Sequence, residues 1–520
     1  MGIFDIIGPV MIGPSSSHTA GAARIGKIAR EILNDEPVSA EITLYGSFAT
    51  TGKGHGTDKA LVAGLMGYAP DSGTIRDAIT TAEERGLSVS FQASSLDMGH
   101  PNVAEIKMKG KSGRMATVVG RSLGGGRVMI TEIDGFPVEI TGEEYTLLTN
   151  HNDVPGIVAD VGKILAEEHV NISNMRVFRK GKGTEAVMII HSDQKVPESV
   201  ICRIKEGNKK YQQCYDTGYY LRQGIMKTYH SVKELFALAE ENHCSPGVIA
   251  CRLESEESGK DFDEVWEKMK KTIPVFRQSI QRGLADTKKS ASGLVGGDAN
   301  AIFMRESRFL SPVCRRACAY AIATAEANAK MFRIVACPTA GSCGIVPAVL
   351  AAVAEEENST LNDVTRALFT AGAIGRITAE NASISGAVGG CQAECGTAAA
   401  MAAAAAVDLL HGTTEEMGNA MALAMKNILG LACDPVAGLV EVPCVKRNGF
   451  HAVHALVAVE MAMMGIRSVI PPDDVIDAMG RIGRLMPVSL RETSLAGLAM
   501  TEEGKHISER LMKQNAMPAE

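Results

Sequence analysis

Three cysteines near the end of the chain, Cys391, Cys433 and Cys444, lie in segments rich in glycine and proline. The first follows two glycines in the segment GGCQAECG, and the other two bound the segment CDPVAGLVEVPC. Three thiolates from separate loops are typical of an iron–sulfur cluster in which one iron has no protein ligand. Such an iron can act as a Lewis acid, so these residues predict a metal centre that does chemistry.

Two other cysteines are alternative ligands for this metal centre. Cys395 lies four residues after Cys391 and could replace it as the ligand. Cys337 and Cys343 flank a loop expected to line the site, and Cys343 is a second alternative ligand. A zinc site would also accept three thiolates, but it usually contains a Cys-x-x-Cys pair, which this chain lacks. The cysteines interpreted as core residues are Cys244, Cys251, Cys314 and Cys318.

A run of hydroxyl side chains near the start of the chain predicts an anion site. Ser15, Ser16, Ser17 and His18 occur in the segment GPSSSHT, directly before a helix predicted to begin near Ala20. Serine hydroxyls and free amides at a helix N-terminus bind anions. The carboxylate of a small substrate would fit there.

Two histidines beside glycines are candidates for acid–base chemistry. His55 occurs with Lys53 and Thr57 in the segment TTGKGHGTD, which is predicted to be a glycine-rich loop before a helix, and His100 occurs in GHPN. With an ordinary pKa of about 6.5, histidine suits removal of a proton from carbon. The first segment lacks the spacing of a phosphate-binding P-loop, so nucleotide binding is not expected. The residues alone do not decide which histidine is the base.

Composition excludes several classes of protein. The chain has 520 residues, 45% of them hydrophobic, and a net charge of −7, which argues against a nucleic-acid partner. The most apolar stretch, residues 397–410, is mostly alanine and contains Asp408, so it predicts a buried helix and no membrane span. No signal peptide is recognisable at residues 1–9, and the twelve cysteines are expected to be reduced thiols of a cytoplasmic protein.

The first two predicted domains combine strands and helices. Residues 1–140 are expected to form an α+β domain with helices at 21–33 and 57–66 and strands at 39–45, 87–92, 102–108 and 127–140. Residues 141–222 show the β-α-β-β-α-β order of a ferredoxin-like fold. Their opening loop, with Asp153, Pro155 and Gly156, resembles that of the ACT domain, a small module that commonly binds amino acids as regulators.

Residues 223–520 are predicted to form an all-α domain whose functional groups lie on loops between helices. The expected helices cover residues 231–241, 262–282, 311–330, 346–357, 361–376, 397–410, 414–429, 449–464 and 471–485. Glycine-rich breaks at 292–298, 337–344 and 383–390 separate them.

Together these motifs resemble those of the iron–sulfur L-serine dehydratases, over nearly the whole chain. Residues 1–140 are similar to the β portion of that family, an ACT module follows, and residues from about 225 are similar to its α portion, with the segment CPTAGSCGIVP at 337–347. The resemblance implies a [4Fe–4S] cluster held by Cys391, Cys433 and Cys444. One departure is the lack of any cysteine after Cys444, so inhibition by a C-terminal cysteine is not expected.

The reaction that the resemblance implies is elimination from L-serine. His55 or His100 would remove the Cα proton, hydroxide would leave to the open iron, and the aminoacrylate formed would hydrolyse to pyruvate and ammonia. The substrate is then a small amino acid. Its predicted contacts are Ser15, Ser16, Ser17, His18, Lys53, Thr57, Thr339, Ser342 and Gly344.

Regulation and assembly are further expectations. An amino-acid effector is expected at the ACT module, near Asn152, Gly156, Asn171 and Asn174, at an interface between two chains, and the protein is expected to be a homodimer. Two other functions remain open at this stage. One is the same elimination on threonine, cysteine or a small hydroxy acid, and the other is an amino-acid-sensing regulator with a metal or redox cysteine site.

Overall fold

The N-terminal region is a six-stranded mixed sheet with helices against it. The computed structural model describes residues 1–142, 145–179, 185–192, 194, 196–206, 211–217 and 228–516. In sheet order the strands are Ser88–Ser94, Pro37–Gly46, Asn102–Gly110, Met115–Gly124, Arg127–Ile133 and Phe136–Ile140, and the first two are parallel. This arrangement confirms the predicted α+β class.

Two helices pack closely in the core of this region. They are Ala22–Leu33 and Thr57–Leu65, and they cross where glycines allow their backbones to touch. A Cβ atom on Gly64 would lie 2.1 Å from the carbonyl oxygen of Ala23. A larger residue there would force the two helices apart. The shorter helices of this region are Ser47–His55 and Ala78–Glu84.

The middle region has the predicted ferredoxin-like order and confirms the ACT fold. Its antiparallel strands, in sheet order, are Tyr211–Thr217, Tyr145–Asn152, Glu185–Ser192 and Ile172–Arg179, and its helices are Ile157–Glu167 and Glu198–Glu206. Alternate side chains of a strand point to opposite faces of a sheet. Leu147 packs in the core of this region, whereas Leu148 joins the core of the N-terminal sheet.

The C-terminal region is helical, as predicted, and its centre is the alanine-rich helix Thr397–Leu409, which is buried along its whole length. Small side chains let the surrounding helices approach it from several sides. The other helices are Val232–Glu241, Pro246–Ser258, Phe262–Lys270, Thr272–Ala285, Asp298–Met304, Pro312–Ala329, Ile345–Glu357, Leu361–Asn381, Thr414–Lys426, Cys444–Met463, Pro472–Leu485 and Glu502–Ala516.

Some element predictions were wrong. The glycine-rich segment with His55 is the helix Ser47–His55, because tertiary contacts outweigh the low helix propensity of its glycines. A Cβ atom on Gly54 would lie 2.9 Å from the side chain of Leu439. The single helix predicted at residues 262–282 is two helices that meet at Lys271, because Pro274 cannot donate a backbone hydrogen bond.

Residues 3–12 belong in space to the helical region. Ile3, Ile6 and Ile7 are buried in the core of that region. The strand Val10–Ile12 then pairs antiparallel with Arg333–Val335. The serine motif follows this strand directly, so the pairing brings it to the helical region.

The proposed domain division at residues 1–140, 141–222 and 223–520 stays a prediction. The second boundary falls outside the described residues. None of the helices in the described residues combines the length and the apolar character needed to cross a bilayer.

Candidate active site

The serine motif and the cysteine segments meet around one cavity. The cavity lies where the N-terminal and helical regions face each other. Its lining residues are Pro14, Ser15, Ser16, Ser17, Gly341, Glu394, Cys433, Pro435, Val440, Cys444 and Glu492.

The serine motif forms one wall of the cavity. The Ser15 hydroxyl caps a π-helical turn, Ser16–Gly21, by accepting a hydrogen bond from the amide of His18 at 3.0 Å. The turn continues into the helix Ala22–Leu33. Ser16 and Ser17 line the cavity, although these residues are only 3% and 7% exposed. They are therefore open to a ligand in the cavity.

His18 fixes the position of the serine motif. Its ring is fully buried, with Nδ1 3.2 Å from the Ser15 hydroxyl and Nε2 3.0 Å from the Ser47 hydroxyl and 3.1 Å from the Thr51 hydroxyl. Burial lowers its pKa well below the ordinary value, and the adjacent His55 lowers it further. A neutral, fully hydrogen-bonded ring of this kind ties the motif to the helix Ser47–His55.

His55 lies directly behind His18 and does not line the cavity. The two ring centroids are 4.3 Å apart, and His55 is completely buried. Neither of its ring nitrogens has a hydrogen-bond partner in the part of the chain that the structure describes, and the same holds for the buried Thr57 hydroxyl. Burial lowers the pKa of His55 to about 4, so the ring is neutral and able to accept a proton at neutral pH.

His100, the other histidine predicted as a base, is not part of the cavity lining. His100 is partly exposed, and its Nδ1 accepts a hydrogen bond from the amide of Asn102 at 3.1 Å. Burial lowers its pKa, and the charge of Arg121 lowers it further. The side chain of Lys53 lies outside the described part of the structure.

The cysteines reach the site from three separate elements. Cys391 begins a π-helical turn, Gln392–Gly396, and Cys444 is the first residue of the helix Cys444–Met463. The backbone of Cys433 is held on both sides, because its amide donates to Leu490 and its carbonyl accepts from Glu492, each at 2.8 Å. Such backbone contacts fix where the thiol lies.

The charges around these thiols fit a bound cationic centre. Burial raises the pKa of Cys433 and Cys444, and the neighbouring Cys391 raises both further. A hydrogen bond between the thiols of Cys391 and Cys395, whose sulfurs lie 3.5 Å apart, lowers the pKa of Cys391. Soft thiolates suit iron–sulfur clusters. Among the described residues, no three histidine, cysteine or acidic side chains are grouped tightly enough for a single metal ion. Cluster ligands are spread more widely than that.

The loop between Cys337 and Gly344 supports the serine motif. Asn328 donates hydrogen bonds to the carbonyls of Pro14, at 3.1 Å, and Ala340, at 2.9 Å, and so ties the two segments together. The substrate contacts predicted in this loop form hydrogen bonds with other groups of the protein. The hydroxyls of Thr339 and Ser342 lie 3.1 Å apart, and the amide of Gly344 donates to Asn448 at 2.9 Å. Of this loop, only Gly341 lines the cavity.

Three charged residues of the site did not follow from the sequence patterns. Glu394 and Glu492 line the cavity, and Arg447 lies beside the cysteines and pairs with Asp434 at 3.1 Å. Burial raises the pKa of Glu394 to about 7 and that of Glu492 well above its ordinary value. For Glu394 a signal existed, since it lies in the segment between Cys391 and Cys395.

The predicted effector residues of the ACT module lie on its surface. Asn152, Gly156, Asn171 and Asn174 are all exposed in the single chain. Gly156 has φ 97° and starts the helix Ile157–Glu167, a backbone conformation that favours glycine.

Acid is expected to destabilise the protein through His55. Its folded-state pKa of about 4 lies below the ordinary value of 6.5, so the unfolded chain binds the proton first. Stability is therefore full above pH 6.5 and falls as the pH drops toward 4, by up to ~3 kcal/mol for this ring. The midpoint of thermal unfolding between pH 7.5 and 4.5 measures this loss, and it should fall less steeply in a His55→Gln variant. Equal slopes in the two proteins would contradict the assignment.

Comparison with known proteins identifies the class to which this fold and site belong. The models of the serine dehydratase beta chain, the ACT domain and the serine dehydratase alpha chain match residues 2–89, 145–206 and 205–499. The chain is 32% identical to an L-serine dehydratase of Streptomyces coelicolor over 510 residues, which are 96% of this chain and 98% of the relative.

Some relatives match nearly the whole chain, and others match only one portion of it. L-serine dehydratase 1 of Escherichia coli is 32% identical over 96% of this chain and 98% of its own length. A probable L-serine dehydratase alpha chain of Bacillus subtilis is 47% identical over 54% of this chain and 95% of its own length. The chain belongs to the L-serine dehydratase family, whose members named here are lyases.

Proposed function

We propose that this protein is a dehydratase that converts L-serine to pyruvate and ammonia. One observation carries the proposal: the hydroxyl side chains of Ser16 and Ser17 line the same cavity as Cys433 and Cys444 of the predicted metal centre. An anion-binding wall and a metal-binding wall at one site suit elimination from a small carboxylate substrate.

The cofactor we propose is a [4Fe–4S] cluster held by Cys391, Cys433 and Cys444. The donors are three thiols from separate segments, those of Cys391 and Cys433 buried and that of Cys444 partly exposed, which suits a cluster better than a single ion. When bound, the cluster would supply a Lewis acid that makes hydroxide a better leaving group. The 3.5 Å between the sulfurs of Cys391 and Cys395 keeps Cys395 as the alternative donor.

The residues of this chain bind the substrate and move its proton. Ser16 and Ser17 would hold the carboxylate with their hydroxyls and with their amides, which lie in a first helical turn where no helix carbonyl accepts them. A neutral imidazole would then accept the Cα proton, and we assign this step to His55, whose two ring nitrogens lack partners among the described residues. Because this ring lies behind that of His18, the step requires it to move toward the cavity. Loss of hydroxide leaves aminoacrylate, which takes up water and releases ammonia.

Location, assembly and regulation form the remaining part of the proposal. We place the protein in the cytoplasm as a homodimer with an amino-acid effector at the ACT module. The described cysteines are all free thiols, which suits a reducing compartment. Phe450, Val457, Met461 and Met464 form an exposed apolar stripe along one helix, which suits contact with a second copy.

The test is a spectrum of protein purified without oxygen, followed by a pyruvate assay with L-serine before and after exposure to air. We expect a brown protein with thiolate-to-iron absorption, and activity that is lost in air. A colourless protein that still forms pyruvate would contradict the cluster. A coloured protein that forms no pyruvate would contradict the substrate.

A further inference from the structure

The cavity has two walls of opposite chemical character. Hydroxyls and amides of the serine motif, at Ser16 and Ser17, form the wall that suits an anion. The carboxylates of Glu394 and Glu492 belong to the other side, together with Cys433 and Cys444. A small ligand in this cavity therefore meets hydrogen-bond donors at one end and acceptors at the other.

Two glycines make room for the Glu394 carboxylate. A Cβ atom on Gly386 would lie 2.8 Å from one of its oxygens, and a Cβ atom on Gly341 would lie 3.4 Å from the other. A side chain at Gly386 would push Glu394 out of place, whereas one at Gly341 would only touch its carboxylate.

Glu492 is fixed by its backbone. It has φ 61°, in the left-handed region that few residues other than glycine adopt, and it is 8% exposed. Its amide donates to the Cys433 carbonyl at 2.8 Å. A conformation of this kind needs support from the structure around it and is often found at functional sites.

One cation, Arg447, acts on Glu394 without forming an ion pair with it, and lowers the pKa of that carboxyl. In the part of the chain that the structure describes, neither Glu394 nor Glu492 forms an ion pair, and Arg447 pairs with Asp434. Thiolates at Cys433 and Cys444 would add negative charge to the same side. Buried carboxylates are stable only with a counter-charge or hydrogen bonds, so this wall favours a positively charged group of the ligand.

We infer that Glu394 and Glu492 bind the ammonium group of the substrate and thereby make the site selective for α-amino acids over α-hydroxy acids. The inference rests on the proposed function and adds a determinant of specificity to it. With the carboxylate at Ser16 and Ser17 and the ammonium at the acidic wall, the ligand is held as a zwitterion. A hydroxy acid would leave both glutamates unpaired in the cavity, so its binding free energy would be less favourable than that of an amino acid.

The test is equilibrium binding to the full-length cluster-loaded enzyme, measured by calorimetry with L-alanine and L-lactate. These ligands have the same carbon skeleton, differ in the ammonium group and lack the hydroxyl that is eliminated. We expect L-alanine to bind about 10- to 100-fold more tightly than L-lactate, because only its ammonium group can form a charged hydrogen bond with the glutamates. Glu394→Gln should remove most of that preference by weakening L-alanine alone. Equal affinities in the wild-type enzyme, or equal weakening of both ligands by Glu394→Gln, would overturn the inference.

A matched control is Glu254→Gln, since Glu254 is a buried carboxylate outside the cavity that accepts a hydrogen bond from the amide of Ile3 at 2.7 Å. This variant should keep the preference for L-alanine. Loss of that preference in Glu254→Gln would count against a local role for Glu394. The pyruvate assay separates the two proposals. Selective binding without pyruvate formation would contradict the dehydratase alone, whereas pyruvate formation without selective binding would contradict the ammonium site alone.

Discussion

Replacing Cys433 by alanine is expected to give a protein without bound iron that forms no pyruvate. The thiol lines the cavity, its backbone is held on both sides, and no other described cysteine lines the cavity except Cys444. Loss of one of three thiolates leaves the cluster with two ligands, so it should not survive purification. Iron and acid-labile sulfide content measure the loss directly, and absorption near 400 nm gives a second readout.

The control for this prediction is Cys314→Ala, in the same helical region. Cys314 is a partly exposed free thiol outside the cavity lining, so iron content and activity should stay at wild-type values. If Cys433→Ala retained full iron and Cys395→Ala lost it, the proposed ligand set would be wrong.

Replacing His55 by glutamine is expected to lower kcat by about 10²- to 10⁴-fold, the usual contribution of a general base. Glutamine is polar and of similar size, so the cavity walls should stay in place. Exchange of the Cα proton of L-serine with deuterated water should fall in parallel, while the iron content should not change. Because the pKa of His55 is about 4, titration of this ring should not lower kcat between pH 8 and 6.

His100→Gln is the comparison that decides between the two histidines. His100 is partly exposed and already accepts a hydrogen bond from Asn102, so a small effect is expected. The opposite result, full activity in His55→Gln and loss in His100→Gln, would assign the proton transfer to His100. Loss of the cluster in His55→Gln would show that the ring has a structural role.

Those parts of the site in which the residue type itself carries the chemistry could be predicted from the sequence. Three cysteines beside glycine or proline, and three serines before a helix, are local signals that need no knowledge of the fold. A helix was also predicted for the alanine-rich segment ending near Leu409, because that segment is long, apolar and free of glycine. The ligand roles of the cysteines and the base role of His55 stay predictions.

Features that depend on distant contacts did not follow from local patterns. The helix Ser47–His55 was expected to be a loop because its glycines disfavour a helix, and its contact with Leu439 is nearly 400 residues away in the chain. Glu492 enters the cavity through a positive φ that no sequence pattern indicates. Glu394 is the exception, since a carboxylate between two cysteines could have been recognised.

The pairing of Val10–Ile12 with Arg333–Val335 has a consequence for how the protein is made. A nascent chain grows at roughly 5–20 residues per second, so the first strand waits for its partner on the order of tens of seconds after leaving the ribosome. During that interval Ile3, Ile6 and Ile7 have no core to enter, because their neighbours have yet to be synthesised. Such a segment is a natural client for chaperones that shield apolar chains. The catalytic cavity, whose serine wall follows this strand, is then among the last features to form.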